Sequence, residues 1–325
     1  MRLLSIVLVG CFISILLVNK TGSRLERFEI RVYQKIAGKK PQHIQLDSAG
    51  VPVVYYEGNL GIQYNVVSVA EEAICLSSEH DSANLNKFFT CINWLENNNV
   101  TLNDSSIIFY NYYDWGHYKM KAPWRSAMNQ GRVMQSFIRA FEKTGDSIYL
   151  DYTRRSMNTL FTPVDQGGVS YFDKSGIWYE EYADDSAPQS RVLNGMIVVL
   201  QALSDYHKLT KDSDALYLYS EGVSAVKNTL HKYDNNGHSN YDISGKPANT
   251  WYHDFHIELL GFLYSETNDP VFNEYKQKWM NYKAPPYLTS LYRKPTNIGI
   301  FTVFTIFTGV FIILFIISHL FWFRK

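Results

Sequence analysis

Apolar and polar positions divide the chain into two uncharged ends and a periodic middle. Arg2 precedes the mainly apolar run Leu3–Val18, and Ile298–Phe323 is a second apolar run without a formal charge. The second run, at roughly 26 residues, exceeds the ~20 that a helix needs to cross a bilayer and predicts a transmembrane helix. Trp322 near its end, followed by Arg324-Lys325, suits an interfacial anchor. The first run, at roughly 16 residues, suits a signal peptide or short anchor. Thr21-Gly22-Ser23 offers small residues but no clean cleavage pattern, which favours an anchor that stays attached.

Between these ends, apolar residues recur at helical spacing and predict four pairs of helices. The first pair is Leu60–Leu76 with Asn84–Asn97, capped at Asp81-Ser82, and the second is Trp124–Lys143 with Ser147–Leu160. Val192–Leu209 with Ser213–His231 and Trp251–Ser265 with Pro270–Tyr282 complete the set. Thr144-Gly145-Asp146, Thr210-Lys211-Asp212 and Asn268-Asp269 split the last three pairs. Helical hairpins of similar size predict an all-α dominated fold, an incomplete (α/α) toroid with a few short β-strands, plus terminal membrane helices. Short strands are expected at Ile107–Tyr110, Gly168–Phe172 and Tyr241–Ile243. The expected organisation is an anchor over 1–20, a basic juxtamembrane segment over 21–50, the toroid over 51–285, a linker over 286–297 and a membrane helix over 298–323.

Charge narrows the classes of partner. Lys+Arg and Asp+Glu are both 31 among 325 residues, so no overall field draws nucleic acid or an acidic polymer. An acidic ligand would need a local basic pocket. Cys11, Cys75 and Cys91 form no metal-binding spacing; Cys75 and Cys91 are either a pair or two free thiols. Orientation draws opposing signals. Lys20, Arg24, Arg27, Arg31, Lys35, Lys39 and Lys40 would hold their segment in the cytoplasm, or lie along the membrane surface. Arg2, Arg324 and Lys325 argue for both tails inside. The glycosylation triplets Asn19-Lys20-Thr21, Asn99-Val100-Thr101 and Asn103-Asp104-Ser105 agree with an extracytoplasmic or lumenal domain, which is the expected location.

Candidate chemistry concentrates in Ile177-Trp178-Tyr179-Glu180-Glu181-Tyr182, where two adjacent carboxylates sit among aromatic rings. Tyrosine is abundant, 24 residues against 9 histidines, so proton transfer would draw on Glu and Tyr before a metal or thiol. No phosphate loop, dinucleotide fingerprint, HExxH pattern or serine nucleophile elbow occurs. His253 and His256, three apart, lack a third ligand at metal-binding spacing.

Five segments then occur in a telling order: Pro123-Trp124-Arg125-Ser126-Ala127-Met128-Asn129-Gln130-Gly131, Trp178-Tyr179-Glu180-Glu181-Tyr182, Val192-Leu193-Asn194-Gly195, Tyr241-Asp242, and Trp251-Tyr252-His253 with His256-Ile257. In this order the chain resembles the C-terminal catalytic domain of the D-glucuronyl C5-epimerases, which convert glucuronate to iduronate within heparan-type polymers. The likeness runs from about Val51 to Tyr282. The resemblance implies a polymer-level epimerase whose catalytic residues fall on Glu181, Tyr182, Tyr241 and Tyr252. It departs at Arg125, where the family has Tyr, and at Ile243-Ser244, where animal members place Leu-Arg.

Inverting carbon 5 of a uronate means removing a proton α to a carboxylate and returning one from the other face. Such a site must neutralise the carboxylate as charge builds on it. Arg125, Arg191 and His253 are the expected cations, with Trp124, Gln130, Trp178, Glu180 and Asn194 completing the substrate contacts. Glu181 and Tyr252 are the preferred pair on opposite faces, with Tyr182 and Tyr241 as alternatives or hydrogen-bond donors. The scheme requires no cofactor and no metal. Expected partners are a uronic-acid polysaccharide and the membrane; a homodimer is compatible with the reading, and nucleic acid is not expected. A polysaccharide lyase, a glycoside hydrolase using Glu181 with Asp185 or Asp242, and a membrane-tethered glycan-binding module remain alternatives.

Overall fold

The computed structural model describes residues 2–36, 43–79, 81–185 and 189–322. Lys39, Lys40, Arg324 and Lys325, weighed above for orientation, and Phe323, the end of the expected span, lie outside the described residues. The chain divides into two compact units: Gln42–Tyr282, and the terminal segments Met1–Pro41 and Lys283–Lys325 together. The N-terminal segment is one helix, α1 (Arg2–Ile36), which runs unbroken across the boundary expected at residue 20.

The central unit opens with an antiparallel sheet of β1 (His43–Leu46), β2 (Pro52–Tyr56) and β3 (Gly61–Gln63), in the order β1-β2-β3. The helix expected from Leu60 therefore begins later, as α2 (Val66–Leu76), because the Asn65 side chain accepts the Ser68 N–H and fixes its start. The remaining helices of this unit are α3 (Ser82–Asn97), α4 (Ala127–Thr144), α5 (Ile148–Asn158), α6 (Leu193–Thr210), α7 (Ser213–Thr229), α8 (Thr250–Thr267) and α9 (Pro270–Met280). They pair as α2–α3, α4–α5, α6–α7 and α8–α9, while α2 packs on α4, α4 on α6 and α6 on α8. The result is the expected incomplete (α/α) toroid, with α2, α4, α6 and α8 inside.

Three of the hairpins turn in the same way. In each, a threonine ends the first helix: Thr144, Thr210 and Thr267. The next residue (Gly145, Lys211, Asn268) adopts left-handed backbone, which stops the helix. The threonine hydroxyl accepts the N–H of the following aspartate, Asp146, Asp212 or Asp269. Each aspartate then accepts the N–H two residues on, at Ile148, Asp214 and Val271. One short code thus serves three turns. Inside the ring the helices approach closely: a Cβ added to Gly131 of α4 would sit 3.0 Å from the Cα of Val199 on α6. Met134, Leu193, Met196, Val199, Leu203, Leu260, Leu263 and Phe272 fill the space with no exposed surface.

Short strand pairs join the hairpins: β4 (Val100–Asn103) with β5 (Ser106–Ile108), β6 (Tyr110–Asn111) with β7 (Trp124–Arg125), β8 (Ser170–Asp173) with β9 (Gly176–Tyr179), and β10 (Asp234–Asn235) with β11 (His238–Ser239). Trp124 and Arg125, expected in a helix, are in β7 because Ser126 caps α4 by accepting the Asn129 N–H. Tyr241–Ile243 is a connection rather than a strand. Its backbone ties separate loops: Leu193 N–H donates to the Tyr241 carbonyl and Ile243 N–H to that of Ser190.

In the other unit, α1 packs on α11 (Asn297–Trp322), with α10 (Tyr287–Arg293) inside the expected linker. Gly10 faces Phe311 and Leu314, whereas Gly299 faces Glu26, so α1 and α11 are antiparallel. Glu26 accepts from Tyr287 Oη (3.0 Å) and Thr296 Oγ1 (2.8 Å), and Glu29 from Thr302. Val7–Ile36 and Asn297–His319 each hold an 18-residue stretch, of mean hydropathy 1.3 and 2.8, and are long and apolar enough to cross a membrane.

Two outcomes follow from this architecture. Replacing Asp146, Asp212 or Asp269 by alanine should each cost about 1 kcal/mol, and the losses should add because the turns are separate; thermal unfolding of single and triple variants measures this. The full chain should stay with the membrane pellet through an alkaline carbonate wash and enter solution with detergent.

Candidate active site

Glu180 and Glu181 leave β9 beside the start of α4, where Ala127 N–H donates to the Glu180 carbonyl (2.9 Å) and Ala183 N–H to that of Arg125. Glu180 is wholly buried. Its carboxylate accepts from Ser190 Oγ, from Arg191 N–H (2.9 Å) and from Tyr182 N–H (3.3 Å). Burial raises its pKa, and the Ser190 and Arg191 donors oppose that shift. These bonds fix the loop, and the next carboxylate emerges elsewhere.

Glu181 lines a pocket of ≈380 Å³. The pocket is built by the early turns of all four inner helices: Val67, Ser68 and Glu71 of α2; Met128, Asn129 and Arg132 of α4; Asn194 of α6; Trp251, Tyr252 and Phe255 of α8. Tyr56, Tyr113, Trp115, Trp124 and Tyr182 supply further aromatic wall. The positive ends of four helix dipoles therefore converge on one cavity, a field that favours an anionic ligand. Glu181 Oε2 is buried without a hydrogen-bond partner among the described residues. It presses on Gly195 of α6, where an added Cβ would lie only 2.3 Å away. Desolvation pushes the Glu181 pKa up to about 8; the Tyr182 hydroxyl opposes this, the Glu180 charge adds to it, and the Tyr241 hydroxyl and Gly195 N–H also oppose it.

Tyrosines surround this carboxyl group. The Tyr182 ring lies 4.4 Å from that of Tyr118 and 5.7 Å from that of Trp124. Tyr241 is not a lining residue, but its ring meets Tyr252 edge-on at 4.6 Å, and its hydroxyl acts on both Glu181 and Tyr182. Burial, and then the Glu181 charge, raise the pKa values of Tyr182, Tyr241 and Tyr252, so each phenol holds its proton. The structure thus gathers Glu181, Tyr182, Tyr241 and Tyr252 in one place, with Trp124 and Asn194 in the same wall.

Other expected contacts lie elsewhere. Arg125 pairs with Asp185 in a separate surface recess, and Arg191 pairs with Asp173 (2.6 Å) in another. His253 is held within the fold: its Nδ1 accepts from Ser239 N–H (3.1 Å) and its Nε2 lies 3.2 Å from the Trp279 carbonyl. Trp178 is core, stacked on Tyr233 at 6.0 Å, and Gln130 is fully buried and does not line the pocket. Arg125, Arg191, His253 and Trp178 each already have a local packing, hydrogen-bond or charge partner. No group of three or more metal-ligating side chains occurs among the described residues.

The sequence reading missed two residues. Arg132 is the one cationic side chain lining the pocket among the described residues, and it directly follows the Pro123–Gly131 segment, so extending that segment by one position would have reached it. Tyr118 lies in a 3-10 turn and donates to Asp242 (2.7 Å); no local pattern marks it.

Comparison with known proteins agrees with this geometry. The sequence matches the family described as D-glucuronyl C5-epimerase C-terminus over residues 103–281. It is 30% identical over 267 residues to an uncharacterised protein of Methanocaldococcus jannaschii, covering 74% of this chain and 86% of that one. It is 31% identical over 178 residues to the D-glucuronyl C5-epimerase of Caenorhabditis elegans, covering 49% of this chain and only 29% of the worm enzyme. A crystal structure of a sugar epimerase from a ruminal bacterium shares the fold, with a TM-score of 0.54 at 13% identity over 84% of this chain and 72% of that one. With the family matched across more than half of its length, this chain belongs to the D-glucuronyl C5-epimerase C-terminus family and is a carbohydrate epimerase.

Proposed function

We propose that this enzyme inverts carbon 5 of D-glucuronate residues within a polysaccharide, giving L-iduronate, while α1 and α11 hold it at a membrane. The observation that carries the reading is the set of unpartnered polar atoms in the pocket wall. Among the described residues, Glu181 Oε2, Asn194 Oδ1 and Asn111 Oδ1 are buried acceptors without donors, Trp115 Nε1 is a buried donor without an acceptor, and Arg132 Nε has only the Glu71 carboxylate at 3.3 Å, outside hydrogen-bond geometry. Such groups are costly unless a ligand satisfies them. A sugar offers hydroxyls to the acceptors, oxygens to the donors and an apolar ring face to the aromatic wall.

In this reading Glu181 takes the C5 proton, and the C–H electron pair moves into the substrate carboxylate. Tyr252, still protonated, delivers hydrogen to the opposite face. Tyr241 lies between the two and returns the proton from Glu181 to the Tyr252 oxygen, which restores the starting state. A carboxylate with a pKa near neutrality is a stronger base than an exposed one, and desolvation supplies that strength. Lyase chemistry would share the first step and then break the bond at carbon 4. A hydrolase would need a second free carboxylate; Asp185 and Asp242 do not line the pocket, and Glu71, which does, is paired with Arg132 at 3.3 Å.

Incubation of the full chain with a glucuronate polymer in heavy water should place deuterium at carbon 5 without shortening the polymer. Glu181→Gln and Tyr252→Phe should each lower exchange by about 10²–10⁴-fold with the fold retained; normal exchange in both variants would remove these proton carriers. Unsaturated ends would indicate a lyase, and new reducing ends a hydrolase.

The raised pKa of Glu181 also has a stability signature. The folded state keeps the proton up to about pH 8, whereas the unfolded chain releases it near 4.5. Stability present below 4.5 is therefore lost as pH rises toward 8. Glu181→Gln should match wild type at pH 4 and exceed it increasingly toward pH 8, by up to about 1.4 kcal/mol per pH unit, as read by denaturant unfolding across that range.

A further inference from the structure

Among the described residues, the charged side chains lining the pocket are Glu71, Arg132 and Glu181. Glu181 is the base in the reading above, and an anionic ring cannot be held by Glu71. Arg132 stands apart. Its Nη1 donates to Gln135 Oε1 at 2.9 Å, and its Nε lies 3.3 Å from Glu71 Oε1 yet is buried without a hydrogen-bond partner. The guanidinium is thus oriented by α2 and by its own helix, with donor capacity left unused. Its side chain is only 16% exposed, so solvent weakens a charge-assisted bond there far less than at the surface. The four converging helix N-termini add to the same field.

We propose that Arg132 is the residue that selects a uronate, binding the C6 carboxylate of the sugar in the pocket, with Glu71 as the positioning residue that holds the guanidinium in place. This rests on the epimerase reading of the pocket. The guanidinium fork fits two carboxylate oxygens at once and remains charged throughout the reaction, so it holds the group that receives the electron pair from carbon 5. A neutral hexose, with a hydroxymethyl group at carbon 5, offers one oxygen and no charge, and loses this contact. The other nearby cation, Lys246, lies over the rings of Tyr118 and Tyr241, 5.8 and 5.3 Å from their centroids, and is not in the pocket wall.

The test measures the affinity of the detergent-solubilised full chain for a glucuronate oligosaccharide and for its carboxyl-reduced counterpart, alongside C5 deuterium exchange. Wild type should prefer the acid by about 10- to 100-fold. Arg132→Gln, and Glu71→Gln/Arg132→Gln, which leaves neither partner of the ion pair without the other, should abolish that preference, lowering affinity for the acid to that for the reduced sugar. Arg132→Lys should recover part of it, and Lys246→Gln should keep it. A preference that survives in the double variant, that disappears in Lys246→Gln alone, or that wild type lacks, overturns the assignment. Absence of exchange in wild type, with an Arg132-dependent preference intact, would instead sink the epimerase reading and support the carboxylate site.

Discussion

Glu180 and Glu181 are consecutive carboxyl groups, both almost without solvent, in a chain that could have placed them outside. An ionised carboxylate removed from water costs several kcal/mol unless donors replace the lost hydration. Glu180 receives those donors from the Ser190–Arg191 turn and from Tyr182, and thereby ties the exit of β9 to the entry of α6. Glu181 is left with fewer, and its charge is correspondingly hard to sustain. The first carboxylate stabilises the loop, and the second stores basicity. Much of the remaining site is arranged around that division, since Tyr182 and Tyr241 approach Glu181 only because the loop is fixed.

The toroid contributes direction. The α4–α5, α6–α7 and α8–α9 hairpins return through tight turns, and the inner helices run the same way and bring their N-terminal ends together. Capping by Asn65, Ser126 and Asn249 settles where three of those ends lie. Pocket residues then come from the first turns: Ser68, Asn129, Asn194 and Tyr252. The strand pairs supply the rest of the wall, with Asn111 on β6 and Trp124 on β7. Rigid helix ends and short strands position polar groups more closely than free loops do.

The helical hairpins were legible because apolar spacing and capping residues act within a few positions of each other. Thr144-Gly145-Asp146 and Thr210-Lys211-Asp212 are turns in sequence and in structure. The β1–β3 sheet was not legible: its residues alternate too briefly to be told from a helix start. The gathering of Glu181, Tyr182, Tyr241 and Tyr252 came from the ordered segments shared with a family, not from periodicity. The expected arginines line other recesses for a different reason. Arg125 and Arg191 have the right charge, but Asp185 and Asp173, distant in sequence, claim them. Arg132 also has an acidic partner, Glu71, but that pair lies in the pocket wall, and this is recognised only once α2 and α4 are side by side.

Gly195 carries a consequence for how this enzyme can change. Its missing side chain is the space that the Glu181 carboxyl group occupies, with the nearest oxygen 2.3 Å from where a methyl would begin. Divergence in the pocket can proceed through Trp115, Trp251 or Asn111, whose alteration reshapes the wall and leaves Glu181 seated. At residue 195 no such gradual path exists, since even the smallest addition displaces the Glu181 carboxyl group. Lineages that explore new substrates on this scaffold would drift at the rim while a single hydrogen atom at that α-carbon stays fixed.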